Sequence, residues 1–383
     1  MIKLVTIIGA RPQIIKASAM SRVIKSYFSN GIDEIIIHTG QHYDYNMSEV
    51  FFNEMQIPRP FVNLDIKSGS HGGQTAAMLQ GLEEILVKTA PDAVMLYGDT
   101  NSTLAGSLAA SKLFIPVIHI EAGLRSYNKS MPEEINRIVC DHVSTLLFSP
   151  TLTGVNNLIK EGFNPGNKPP YTIDNQKVYH CGDVMYDNTL FFSRIAEQKS
   201  SIIKDLKLSP EKYILATIHR PNNTDEPERL ASLFSALVEI TEKYRIPVVL
   251  PLHPRTQKLM PEKMDTFFYR QIQNNPLIQI TEPVSFLDMI LLEKNSRIII
   301  TDSGGVQKES YFMKKPSIVL RPETEWVEIA ENGAAVIADA DKSKITGAFD
   351  HFMKTTELTF PPVFGDGHAA EFICTEILKH IIN

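Results

Sequence analysis

Short apolar runs alternate with longer stretches of helical spacing along almost the whole chain. Strand-like apolar runs occur at 4–8, 34–38, 93–97, 117–120, 145–148 and 178–181. A second set follows at 213–218, 248–252, 278–280, 298–300, 317–320 and 335–337. Between them, 14–28, 74–88, 227–244 and 341–353 repeat apolar side chains at the spacing of one helix face. Strands apolar on both faces and bracketed by helices predict parallel sheets covered on both sides. Two such sets predict an α/β chain of two doubly wound, Rossmann-like domains facing one another. The break is expected after the run 178–181, so 1–187 form the first domain and 188–365 the second. Residues 187–192 read as a connecting helix and 168–176 as a surface loop. The amphipathic stretch 369–381 is expected to cross back, so that 366–383 completes the first domain.

Composition narrows the class. At 383 residues the chain exceeds what one core usually organises, and 43% apolar with 21% charged residues is ordinary for a soluble globular enzyme. No apolar run approaches membrane-spanning length and the first residues enter a strand directly, so a cytoplasmic protein without anchor or signal peptide is expected. A net charge of −6 gives no electrostatic case for nucleic acid. Cys140, Cys181 and Cys374 are far apart and in no metal-ligand spacing, which predicts reduced thiols and no metal.

In open parallel sheets, ligands bind beyond the carboxyl ends of the strands, so the reactive side chains there carry the functional reading. The segment from Thr301 to Glu309 follows an apolar strand and leads into a helix through Ser303-Gly304-Gly305. Unpaired amides at a helix start, with no Cβ in the way, make an anion seat. Glu309, about one turn on, suits a sugar diol, and the two together suggest a nucleotide. The bland reading is a plain strand-to-helix turn. Gly9-Ala10-Arg11-Pro12 ends the first strand, with Lys16 a turn later, offering two cations for a second anion contact or simply an exposed Arg and Lys. The sequence there is neither a dinucleotide fingerprint nor a Walker A loop.

Acids gather in the same domain. Asp99 closes one strand, Glu121 another, and Glu133 and Glu134 follow Pro132 at a helix start with Arg137 a turn on. Asp99 serves equally as a helix cap, and Glu133 or Glu134 as a first-turn acid favoured by the dipole. Glu121 resists such a reading, being flanked by apolar residues. Carboxylates collected at one sheet edge are what C–H deprotonation and reprotonation require. The second domain adds His219-Arg220 and His253-Pro254-Arg255, each at a strand's carboxyl end. One such His is as readily a half-buried structural residue; two at the edge that bears Ser303 are harder to dismiss.

Gly9-Ala10-Arg11-Pro12, Thr39-Gly40-Gln41-His42, Gly98-Asp99-Thr100, His119-Ile120-Glu121-Ala122-Gly123-Leu124-Arg125, Pro132-Glu133-Glu134, His219-Arg220, Asp302-Ser303-Gly304-Gly305 and Gly365-Asp366-Gly367 occur in this order. Together they resemble the non-hydrolysing UDP-N-acetylglucosamine 2-epimerases of bacterial polysaccharide synthesis. The resemblance implies a GT-B-type fold with the active site in the cleft between domains, a homodimer, a UDP-sugar substrate, and no metal or redox cofactor. It implies Asp99, Glu121 and Glu133 as candidate acid–base carboxylates, without saying which takes the C2 proton. His219, Arg11 and Lys16 would stabilise the departing diphosphate. Ser303, Gly304 and Gly305 would hold phosphate oxygens and Glu309 the ribose, with Arg125, Glu134, Arg220 and His253 as further substrate contacts. Some members bind a second substrate molecule as activator through a Gln-His and an Arg-Gln pair. Gln41, His42 and Gln74 match, but Gly73 replaces the Arg. The forms Gly9-Ala10-Arg11-Pro12-Gln13, Ser130-Met131-Pro132-Glu133-Glu134 and Gly182-Asp183-Val184-Met185 look closer to a subgroup acting on UDP-2,3-diacetamido-2,3-dideoxyglucuronate. A hydrolysing 2-epimerase, a glycosyltransferase and a non-catalytic UDP-sugar sensor are the competing expectations.

Overall fold

The computed structural model describes residues 1–40, 57–67 and 69–381. The chain divides into two units, Met1–Asn188 with Pro362–Asn383, and Thr189–Pro361. In the first, β1 (Ile2–Ile8), β2 (Ile32–His38), β3 (Val62–Asn63), β4 (Ala93–Tyr97), β5 (Val117–Ile120), β6 (Leu146–Ser149) and β7 (Lys177–His180) form one parallel sheet. Its order is β3-β2-β1-β4-β5-β6-β7. In the second, β8 (Ile214–Thr217), β9 (Val248–Pro251), β10 (Ile278–Thr281), β11 (Ile298–Thr301), β12 (Ser317–Val319) and β13 (Ala335–Ile337) are ordered β10-β9-β8-β11-β12-β13. Each is a doubly wound, Rossmann-like sheet of the GT-B class.

The buried runs dictate this outcome. Val5, Ile7, Val94 and Leu96 pack with Met78, Leu82, Leu86 and Ala109 from flanking helices on one side of the first sheet. Ile214, Ala216, Leu250, Ile298 and Ile300 do the same in the second against Leu230, Phe234, Leu237 and Phe349. Burying each such aliphatic side chain contributes roughly 1.5–3 kcal/mol.

Two details differ from expectation. The first helix begins at Arg11, with Pro12 in its first turn, and its C-terminal end widens into a π-type turn over Ile24–Phe28. The edge strand β3 was not foreseen. It is two residues long, pairing Ile37 with Val62 and His38 with Asn63, too short to show any alternation.

The terminal helix, Ala369–His380, joins the first unit. Ile373, Cys374 and Ile377 are buried, and the Asp187 carboxylate accepts hydrogen bonds from the Ala369 and Ala370 amides at 3.2 and 2.8 Å. Burial pushes Asp187 up to about 6. The chain enters this helix past a glycine crossing. Gly182 (φ +81°) and Gly365 (φ +85°) face each other, and a Cβ on Gly365 would lie 2.9 Å from the Gly182 Cα. A Cβ is crowded out at both positions, so Gly182 and Gly365 are architectural. Among the described residues no helix is long and apolar enough to cross a membrane.

Candidate functional site

Strand order reverses between β1 and β4 in the first unit and between β8 and β11 in the second. Helices leave to opposite faces there, and the carboxyl ends of those strands open a crevice. The turns at these points carry most of the residues singled out in the sequence.

At the first switch point, Gln13 staples the two strand ends together. Its Oε1 accepts from the Gly9 and Ala10 amides at 2.8 and 3.1 Å, and its Nε2 donates to the Tyr97 carbonyl and Thr103 Oγ1, both at 3.0 Å. A glutamate could not make the two donated bonds. Arg11, next in the turn, is exposed. Lys16 pairs with Glu121, and both side chains are about nine-tenths buried. Glu121 adopts φ +73°, a left-handed backbone that costs a non-glycine residue roughly 1 kcal/mol or more and clusters at working sites. Gly98, at φ +62°, packs against this pair: a Cβ there would meet Glu121 Oε2 and Lys16 Nζ, each at 3.2 Å.

Asp99 follows directly. It is not the helix cap, since Thr100 Oγ1 accepts from the Thr103 amide and caps Asn101–Lys112. Asp99 instead pairs with Arg137, and its backbone carbonyl accepts from Asn136 Nδ2 at 2.9 Å. Glu133 is exposed on the first turn of the helix Pro132–Val143. Asp99, Glu121 and Lys16 thus meet around Gly98, with Arg137 beside them.

At the second switch point, Asp302 ends up fully buried after β11. It accepts from the His219 and Arg220 amides at 2.9 Å each, and from His219 Nδ1 at 2.9 Å. Burial would raise its pKa, but these bonds from His219 and Arg220 hold the carboxyl below its usual range. With Nδ1 taken, the Nε2 of a half-exposed His219 is left to face outward. Ser303 Oγ accepts from the Val306 amide and caps the helix Gly304–Phe312. The Gly304 and Gly305 amides lie in its first turn, where no intrahelical acceptor exists. Glu309 reaches back toward them, its Oε2 4.0 Å from where a Gly305 Cβ would be.

Other expected residues sit elsewhere. Arg125 is buried, paired with Asp141 at 2.8 Å and with both oxygens of Glu161 at 2.7 Å, so its guanidinium is engaged inside the unit. Glu134 is buried too, accepting from the Ser126 and Tyr127 amides at 2.9 Å and pairing with Arg137 at 3.0 Å; it shapes the turn before the helix. His253 caps the helix Pro254–Lys263, its Nδ1 accepting from the Arg255 amide at 3.2 Å. Gln74 is buried and accepts from Asn101 at 2.8 Å, and Asn136, which donates to the Asp99 carbonyl, donates to Asn101 at 3.3 Å. Gln41 and His42 lie outside the described residues. Among the described residues, no group of three or more His, Cys, Asp or Glu could hold a metal ion.

The model of the UDP-N-acetylglucosamine 2-epimerase family matches residues 27–378. A Methanococcus maripaludis homologue of UDP-N-acetylglucosamine 2-epimerase is 47% identical, over 99% of this chain and 100% of its own. The chain belongs to the UDP-N-acetylglucosamine 2-epimerase family. The UDP-2,3-diacetamido-2,3-dideoxy-D-glucuronate 2-epimerase of Pseudomonas aeruginosa is 44% identical over 98% and 99% of the two chains. The crystal structure of Methanocaldococcus jannaschii UDP-GlcNAc 2-epimerase in complex with UDP-GlcNAc and UDP superposes with a TM-score of 0.82, at 40% identity over 98% and 99%.

Within this epimerase fold, the sequence reading missed three groups. Asp302 was seen only as part of a glycine turn, not as the residue that orients His219. Arg321, after β12, forms a two-pronged pair with Glu325 at 2.9 and 2.8 Å and would lie 3.6 Å from a Gly304 Cβ. A cation at a strand's carboxyl end was the available signal. Glu293 is fully buried, with burial and the Glu309 carboxyl beside it raising its pKa well above normal. Nothing in the sequence marks it, because its helix, Phe286–Asn295, reads as an ordinary amphipathic one.

Proposed function

We propose that this chain inverts C2 of a UDP-2-acetamido sugar without net hydrolysis, using residues of both switch points. The observation that carries the reading is their unlike chemistry. One gathers carboxylates matched by cations; the other pairs a carboxylate-oriented imidazole with an open helix start.

The diphosphate takes the Gly304 and Gly305 amides and the Ser303 turn, with Arg220 beside it, and Glu309 accepts the ribose hydroxyls. At the hexose, one of Asp99, Glu121 and Glu133 takes the C2 proton. The C2–H electron pair becomes the C1–C2 double bond as the C1–O bond breaks, and that bond's pair leaves on UDP. Arg11, Lys16 and His219 offset the charge gathering on the leaving group. A carboxylic acid then returns a proton to the opposite face of C2 in the 2-acetamidoglucal, and the UDP oxygen re-forms the bond to C1. Nothing is consumed.

UDP-N-acetylglucosamine is the first candidate substrate. The diacetamido-uronate is the second, favoured by the Gln13 staple, the Ser130–Glu134 and Gly182–Met185 forms and the likeness to the Pseudomonas enzyme. Incubation with each sugar, followed by NMR, separates them: inversion at C2 with UDP remaining substoichiometric is expected for one. Stoichiometric UDP with free sugar would instead establish the hydrolysing reaction, and transfer only on adding an acceptor would establish a glycosyltransferase.

A further inference from the structure

His119, in the middle of β5, is fully buried, and both of its ring nitrogens face acceptors. Nε2 lies 2.8 Å from the Gly98 carbonyl oxygen, which can only accept, so Nε2 carries a hydrogen. Nδ1 lies 2.6 Å from Asp141 Oδ1. The other oxygen of Asp141 accepts from the Gly123 amide at 3.1 Å and pairs with Arg125 at 2.8 Å, the setting of an ionised carboxylate. Nδ1 therefore donates as well, and a ring that donates twice is an imidazolium. The surrounding charges balance it. Arg125 and His119 stand against Asp141 and Glu161; His142 approaches Glu161 at 3.5 Å, and the Cys140 thiol lies next to Asp141.

What this network holds is informative. Gly98 precedes Asp99 and packs on the Lys16–Glu121 pair; Gly123 follows Glu121 by two residues, and His119 precedes it by two. The His119–Asp141 pair thus grips both turns that present the acid–base carboxylates. We propose that His119 is a permanently protonated positioning residue, whose two donated bonds set the Gly98–Asp99 and Glu121–Gly123 turns for proton transfer at C2. Its protonation state stands by itself; its effect on catalysis rests on the epimerase reading. The direction of the titration agrees: burial opposes the charge, but Cys140 and Asp141 outweigh it and raise the imidazole well above its usual range, while Asp141 is held below its own.

The test is nitrogen NMR of protein labelled at histidine, read from about pH 6 to about pH 9. One ring, absent in His119→Gln, should show two protonated nitrogens throughout; a neutral tautomer anywhere in that span overturns the proposal. In His119→Gln, kcat should fall about 100-fold with UDP affinity kept, the scale of a misplaced catalytic group; unchanged kcat overturns it. Should that variant not fold, Asp141→Asn answers: its His119 should titrate and its kcat should fall with the loss of that proton, whereas a pH-independent deficit contradicts the clamp. If the protein inverted no sugar at all, the wild-type spectrum would still decide the protonation claim.

Discussion

The two units share one topology, yet their switch points are built in opposite ways. In the first, the turn amides after β1 are consumed by the protein itself, because Gln13 Oε1 accepts from both Gly9 and Ala10. The cations at that edge are Arg11, which is exposed, and Lys16, which pairs with Glu121. In the second, Ser303 takes only the Val306 amide, and the first-turn glycines present backbone. The acids differ in the same sense. Asp99, about a third exposed, and Glu121, about nine-tenths buried, are each paired with a cation, whereas Asp302 is sealed below His219 and orients it. A doubly wound sheet supplies an edge; the residues in two short turns decide whether that edge is lined by paired acids or by backbone amides.

The largest effect should come from removing the acids of the first unit. Asp99→Asn and Glu121→Gln are each expected to slow epimerisation at least ~100-fold, the usual scale for a lost acid–base group, with UDP affinity by calorimetry unchanged. Weakened UDP binding would erase the contrast between the units. Next comes His219→Ala, expected to cost about 100-fold in kcat for loss of charge stabilisation. Asp302→Asn should reproduce part of that by releasing the ring. Smaller is Glu309→Gln, expected to raise KM about tenfold while kcat holds, on the scale of one charge-assisted hydrogen bond.

Acid stability sharpens the comparison further. Asp141 and Asp302 have folded pKa values below the ordinary 3.8. Their stabilisation is therefore complete above that value and is lost as pH falls through the lower, folded pKa. Melting temperature should hold from neutral pH to about 4 and then drop, and Asp302→Asn should lower it at neutral pH with less acid dependence. Glu293 has the opposite sign. Its pKa is raised, so its native state must keep a proton and loses stability as pH climbs past the usual carboxylate range. Glu293→Gln, which mimics the protonated form, should melt slightly higher at neutral pH.

The strands were legible because parallel strands buried on both faces read as apolar runs rich in Ile and Val, as in β1, β9 and β11. The edge strand β3 was not, since two residues carry no period. Asp99, Glu121 and His219 could be found because a strand's carboxyl end is a place that spacing reveals. What spacing cannot give is the direction of a side chain. Arg125 lies in the motif of Glu121 and Glu134 follows Glu133, yet both turn inward to hold loops. Gln13 reads in the sequence only as the end of Gly9-Ala10-Arg11-Pro12-Gln13 and is in fact a four-bond staple, a role visible only once β1 and β4 are adjacent.

Under the proposed function, carboxylates of the first unit move the C2 proton while the second unit holds UDP. Turnover of UDP-N-acetylglucosamine in heavy water tests it most directly. One solvent deuterium should appear at C2 of both epimers in the wild type, and none in Glu121→Gln or Asp99→Asn despite normal UDP affinity. Inversion without deuterium, or full exchange in both variants, would contradict it.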